Sequence, residues 1–403
     1  RMHPGKFYAL PQAPQQFKQL LMVGGVHRYY QLAACFRDED PRADRLYGEF
    51  YQLDLEMSFV EDGEEVRTTI EPLIKKLTTE FAGKKLLFED IPRIPYLEAM
   101  DRFGSDKPDL RFGMELQDLS EELRECGFGV FANAIKDGGV VKALVVPKQF
   151  SRSEIDKLTE KAKSDGAGGL PYMTIEAGKA VSSIAKFFSE EDLAQIVTKT
   201  GAKDGDTVLF GSDKREKVNK VLGGLRSQLG GELGLKDPNM VALAWIVDFP
   251  FYETDEKTGK LDFGHNPFSM PKGGLEALNA EDKLGILADQ YDMVMNGYEI
   301  CSGGVRNHNP EVLYKVFGVL GFDEKYVEEK FGAMLNAFKF GAPPHAGCAF
   351  GVDRILMELM GEDNVREVVA FPKNGSGMDV MTNSPSTIDE QQLKELSIRV
   401  VTK

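Results

Sequence analysis

Two arginines stand where a phosphate-binding protein would place them. Arg37 ends the apolar run "YYQLAACF" and begins the charged stretch "RDEDPRADR", and Arg354 follows "AFGVD", where a glycine separates a strand pattern from a helix pattern. A helix start offers unpaired N–H groups and the positive end of a dipole. Guanidinium forks match phosphate or carboxylate oxygens in pairs. A lone arginine is more often an ordinary ion-pair partner, so the case needs company. Asp292 and Glu299 flank Asn296-Gly297 and fall on one face of the hairpin that this dipeptide predicts, together with Val294 and Cys301. Two hard carboxylates suit a Mg2+ shared with substrate phosphates, although two acids on a hairpin are more often simply solvated. Arg306 follows "CSGG", whose glycines allow a ligand to approach closely enough for a carboxylate grip. Lys18 and Asp54 could pair inside a pocket, and His265 in "FGHNPFSMP" could offer a hydrogen bond.

The elements that must carry these residues can be read from periodicity. Residues 13–23, "APQQFKQLLMV", read as a short helix with Pro14 in its first turn, an apolar stripe of Phe17, Leu20 and Leu21, and Gln15 and Lys18 sharing a face. Residues 28–36 and 49–60 read as two strands around the charged stretch, and the second alternates. Its Gln52, Asp54, Glu56 and Ser58 share one face, which must either meet solvent or line a polar pocket. From about 120 to 236 the texture changes to alternating strands ("VVKALVVP", "DTVLFG") and helices ("SRSEIDKLTEKAKSDG", "SEEDLAQIVTKTG"), with a capping-box variant at Ser189 and Asp192. This reads as an inserted α+β module, giving a first core part at 1–119 and a second at 237–403. "PPHAGCAFGVDRILMELMGEDN" reads as strand, glycine, and a helix ended by Gly361, with Arg354 in its first turn.

Bulk properties set limits. The 403 residues are 42% hydrophobic, and the net charge of -15 leaves room only for a local polyanion surface. The four cysteines are dispersed without a CxxC pair, which suggests neither zinc knuckle nor disulfide framework and fits a reducing cytoplasm. No apolar run approaches the roughly 18 residues of a membrane span. A GxxxxGK(S/T) phosphate loop, a GxSxG elbow, an HExxH helix and a dinucleotide GxGxxG are all absent, so any ATP is bound without a P-loop. The opening on Arg1 rather than Met suggests a piece of a longer chain.

These pieces fit one family. "YYQLAACFRDEDPRADR" with "GEFYQLDLEMSF" resembles motif 2 of class II aminoacyl-tRNA synthetases, and "AGCAFGVDRILMEL" resembles motif 3. "FYALPQAPQQFKQLLM", "GSDKPDLR", "WIVDFPFYE", "GHNPFSMPK", "NGYEICSGGVR" and "AFPKN" resemble the bacterial aspartyl-specific type, and "GAGGLPYMTIE" resembles its GAD insertion domain. The resemblance implies an α+β fold: an antiparallel sheet flanked by helices, with an inserted α+β GAD domain at 120–236. It implies ATP and Mg2+ and, as partners, L-aspartate and tRNA(Asp), with tRNA(Asn) left open. The implied full-length protein is a cytoplasmic homodimer, with no membrane association, whose anticodon-binding domain and motif 1 lie upstream.

By the same resemblance, Arg37 bridges the aspartate carboxylate and the α-phosphate, Glu39 meets the adenine end, and Arg354 with Gly351, Val352 and Asp353 holds the γ-phosphate. Arg37 and Arg354 are the catalytic pair. Asp292 and Glu299 carry Mg2+, Glu299 also touching ATP. Arg306 grips the aspartate side chain, assisted by Lys18, which Asp54 orients; Gln15 and His265 line the same pocket. Arg42, Asp44 and Arg45 are expected to reach outward toward tRNA. The chain departs from the pattern at Ala13, where a serine is usual, and at "LYGE", residues 46–49. The rival readings are a shortened paralogue passing aspartyl-adenylate to another acceptor, and a non-catalytic binding relic.

Overall fold

The computed structural model describes residues 2–255 and 257–401. Two compact units divide the chain: residues 1–83, 250–292 and 300–403 form the first, and residues 84–249 with 293–299 form the second.

The first unit is built on strands whose order is not their chain order. Helix α1 (Gln15–Val23) precedes β1 (Arg28–Arg37) and β2 (Gly48–Ser58); β3 (Gln290–Met295), β4 (Tyr298–Val305) and β5 (His345–Gly351) follow, and β5 runs into α2 (Val352–Met360). Neighbours run β1-β2-β5-β4-β3. The pairings of β1 with β2, β2 with β5, and β5 with β4 are all antiparallel. The register sets Glu56 opposite Gly347 and Asp54 opposite Ala349. An apolar cluster that includes Phe251, Tyr252, Leu313, Phe317, Met334 and Phe338 forms under helices Pro310–Val319 and Glu324–Phe338.

Helix α1 reverses the expectation drawn from its apolar stripe. Phe17 is 68% exposed, while Lys18, Gln19 and Met22 are the buried face. Buried acceptors on β2 and β5 draw the polar side chains inward, and charge-assisted hydrogen bonds outweigh the transfer of one aromatic ring. Helix α2 begins where β5 ends, with Gly351 as its N-cap, and stops at Gly361, whose φ of 74° suits glycine.

In the second unit a five-stranded sheet has the order Leu116–Asp118, Val140–Val146, Thr207–Asp213, Tyr172–Glu176, Lys179–Val181, with antiparallel pairings. Two apolar clusters form around it, one with Leu144, Leu209 and Leu222, the other with Phe131, Val208 and Phe210. The capping box expected at Ser189 and Asp192 is present, and a second joins Ser151 with Glu154. The tip of the β3-β4 hairpin also belongs here. Asn296 and Gly297 have φ of 53° and 96°, as a two-residue primed turn demands, and the Asn296 side chain accepts from the Ala242 N–H at 2.9 Å.

Candidate active site

The centre of the polar face of β2 is buried rather than meeting solvent. Asp54 and Glu56 are 2% and 0% exposed, and Lys18 and Arg306, also buried, complete a four-charge cluster. Lys18 Nζ donates to Asp54 Oδ1 at 2.6 Å and lies 3.1 Å from Glu56 Oε2. Arg306 donates from Nε to Glu56 Oε1 at 2.9 Å and from Nη2 to Oε2 at 3.2 Å, a two-pronged grip. Burial pushes the Glu56 carboxyl upward, but Arg306 and Lys18 outweigh it and hold Glu56 below the usual carboxylate range. At Asp54 burial wins over Lys18, and the carboxyl is pushed up. The second oxygen of Asp54 has no hydrogen-bond partner among the described residues, which leaves a buried acceptor for a ligand's N–H.

Glycines make this arrangement possible. A Cβ at Gly347 would fall on the Glu56 carboxylate and the Leu55 carbonyl, and one at Gly303 would lie 2.5 Å from both the Gly347 carbonyl and Cys348 Cβ. Gly347→Ala is therefore expected to lower stability by about 1–3 kcal/mol, the usual range for overpacking. Denaturant unfolding followed beside aspartate KM measures it, and an alanine variant matching wild type on both would contradict this packing.

A second group surrounds the start of α2. Arg37, 38% exposed, lies over the Phe50 ring at 4.9 Å, donates from Nε to the Gln12 carbonyl at 3.3 Å, and stands 3.8 Å from Glu39. Glu39 pairs with Arg45 at 3.0 Å, and Arg354 Nη2 donates to Asp44 Oδ2 at 3.1 Å. Asp44 and Arg45 thus each find an opposite charge, on α2 and inside the loop respectively, while their side chains stay 31% and 40% exposed. Asp353 accepts from the Tyr51 N–H at 3.0 Å, and burial pushes its carboxyl up. Val352 and Arg354 complete the helix's first turn after Gly351.

The remaining candidates are placed as follows. Gln15 donates to Gln19 Oε1 at 3.0 Å. His265 is exposed, four residues before Ser269, whose backbone bridges that of Arg306. Asp292 is buried on β3, and Glu299, on β4, pairs with Lys107 at 3.1 Å. Glu56, Gln19 and His345 were given no site role from the sequence, and Asp44 was not foreseen as a partner of Arg354. Only Glu56 had a usable signal, its place on the polar face of β2.

The sheet order, the buried charges on β2 and just after β4, and the arginine at the start of α2 gather cationic groups of the kind that hold anionic ligands. A family model described as tRNA synthetases class II (D, K and N) matches residues 1–375, and the chain belongs to this family. Its curated relatives include the aspartate–tRNA(Asp/Asn) ligase of Rickettsia felis, 52% identical over 405 residues, and that of Rickettsia africae, 51% identical; each alignment spans 99% of this chain and 67% of the relative. Among solved structures, an aspartyl tRNA synthetase from Entamoeba histolytica is similar with 20% identity and a TM-score of 0.47, over 94% of this chain and 54% of that one.

Proposed function

We propose that this chain carries the catalytic region of an aspartate–tRNA ligase. It would join L-aspartate to ATP as aspartyl-adenylate, releasing pyrophosphate, and pass the aspartyl group to the terminal ribose of tRNA. The observation that carries the reading is the buried cluster of Lys18, Asp54, Glu56 and Arg306. Glu56 occupies the Nε–Nη2 edge of Arg306, and the Nη1 edge is the one a side-chain carboxylate would engage. A neutral amide there would leave buried donors and acceptors mismatched, which is how a polar site rejects a near-isostere.

In the activation step an oxygen of the aspartate α-carboxylate attacks the α-phosphorus in line, and the bond to the β-phosphate breaks with its electron pair leaving on pyrophosphate. Arg37 would sit against both anions and Arg354 against the γ-phosphate, offsetting charge as it redistributes. Glu39 would turn to the adenine end, with Gly351, Val352 and Asp353 beside the phosphates. Gln15 and His265 would complete the amino-acid pocket.

Mg2+ would accompany ATP, with Asp292 and Glu299 supplying oxygens. Among the described residues no group of three or more His, Cys, Asp or Glu is gathered as a metal cage, and a Mg2+ shared between one or two carboxylates and substrate phosphates needs none. When bound, the ion would neutralise phosphate charge.

Asp44 now holds the guanidinium that a γ-phosphate would use. Asp44→Asn is expected to lower KM for ATP about two- to fivefold, on the scale of a partly exposed ion pair. An unchanged or raised KM would count against Arg354 as the phosphate ligand.

We assign both tRNA(Asp) and tRNA(Asn) as acceptors on the strength of the names of the Rickettsia relatives. The 120–236 insert is assigned as the GAD-type module, and the working protein as a cytoplasmic homodimer; among the described residues no helix is long and apolar enough to cross a membrane. Charging of each purified tRNA with labelled aspartate tests the function. Label on both supports it, label on tRNA(Asp) alone corrects the acceptor range, and adenylate made without label on either tRNA would favour a non-tRNA acceptor.

A further inference from the structure

Behind the charge cluster runs a line of neutral hydrogen bonds through two residues, Gln19 and His345, that none of the roles above uses. His345 is fully buried at the start of β5, and its Nδ1 lies 2.8 Å from the Pro343 carbonyl. A carbonyl can only accept, so Nδ1 carries the proton. In the neutral ring Nε2 is then an acceptor, and Gln19 Nε2, 3.1 Å away, is its donor. That fixes the Gln19 amide: its oxygen points the other way and accepts from Gln15 Nε2 at 3.0 Å. Every donor in the chain from Gln15 to Gln19 to His345 to Pro343 points in one direction. The groups facing the ring are Glu56 on β2, Arg306 after β4, and His308, whose ring lies 5.9 Å away. Burial pushes the imidazole pKa down, in keeping with a neutral ring.

The consequence falls on Gln15, three residues before Lys18 on the same helix face. With Nε2 committed to Gln19, the Gln15 amide is held so that Oε1 is the group turned away, as an acceptor. L-Aspartate offers one donor group at neutral pH, its α-ammonium. We infer that Gln19 and His345 are positioning residues: they lock the Gln15 amide with its oxygen toward the amino-acid pocket, where it receives the substrate's α-ammonium. The inference rests on the aspartate-binding reading above and extends it to two residues that need not touch the substrate.

The test uses pyrophosphate exchange by the full-length protein, with KM and kcat determined separately for aspartate and ATP. Gln19→Met keeps the length of the side chain and removes both hydrogen bonds. It is expected to raise KM for aspartate about tenfold, to leave KM for ATP unchanged, and to change kcat less than about twofold, a tenfold effect being about 1.4 kcal/mol. His345→Met should do the same. His345→Gln, which still presents an acceptor near the Nε2 position, should return KM for aspartate to within about threefold of wild type. A merely structural role would not separate the two His345 variants in this way if their melting temperatures match. Gln15→Ala is the reference arm and must itself raise KM for aspartate. If it does while Gln19→Met does not, or if Gln19→Met raises both KM values alike, the positioning role is overturned. If Gln15→Ala has no effect, the pocket assignment of Gln15 fails and the relay with it. A wild-type protein without aspartate-dependent exchange would instead overturn the functional reading itself.

Discussion

Arg37→Ala is expected to slow aspartate-dependent pyrophosphate exchange about 10²–10³-fold and to leave the unfolding transition close to wild type. The two halves of this result have separate causes. The side chain is 38% exposed, its nearest carboxylate is 3.8 Å away, and pairs of that kind contribute little to stability. The activation step, however, brings an aspartate carboxylate and a triphosphate together. A preorganised cation between them acts most strongly as charge shifts, where removing one such contact typically has this size of effect. The loss should appear in kcat more than in KM. Exchange kinetics beside a thermal melt measure both halves, and an Arg37→Ala enzyme with a wild-type rate would remove Arg37 from the chemistry.

Arg306→Ala has the opposite signature. Arg306 is 2% exposed and makes the two-pronged contact to Glu56. Its removal leaves Glu56 buried with Lys18 as its remaining close cation, and breaking a buried pair typically costs about 3–5 kcal/mol. The unfolding midpoint should fall, and KM for aspartate should rise well beyond the effect on KM for ATP. Because the alanine variant risks failing to fold, Arg306→Lys provides the second reading: it keeps the charge, loses the planar fork, and is expected to fold while still losing preference for aspartate over asparagine. An Arg306→Lys enzyme with wild-type discrimination would contradict the role given to the guanidinium edge.

What the sequence disclosed follows from how local each feature is. The Asn296-Gly297 turn, the Ser189 capping box and the junction at Gly351 depend on residues a few positions apart, and each forms where the pattern places it. The pairing of Lys18 with Asp54 was raised from the residues as one possibility, and it forms. Glu56 was visible only as one of four hydrogen-bonding side chains on a strand face. Choosing burial over solvent required knowing that Gly347 lies opposite, 291 positions later, and leaves room for the carboxylate. The bond from Gln19 to His345 spans 326 positions, and no periodicity within either segment announces it. The pairing of Asp44 with Arg354 was missed for a related reason. A run of alternating charges leaves several pairings open, and the choice is made by Arg354, which the chain supplies 310 residues after Asp44.

The central claim is that the buried cluster around Arg306 selects a side-chain carboxylate for activation. Pyrophosphate exchange by the wild-type protein, with L-aspartate and L-asparagine in parallel over a range of concentrations, tests it most directly. The account predicts exchange with aspartate and a kcat/KM for asparagine lower by about 10⁴-fold or more, the discrimination reached by sites that leave polar groups unpaired against the wrong substrate. Comparable exchange with both amino acids, or none with aspartate, would contradict it.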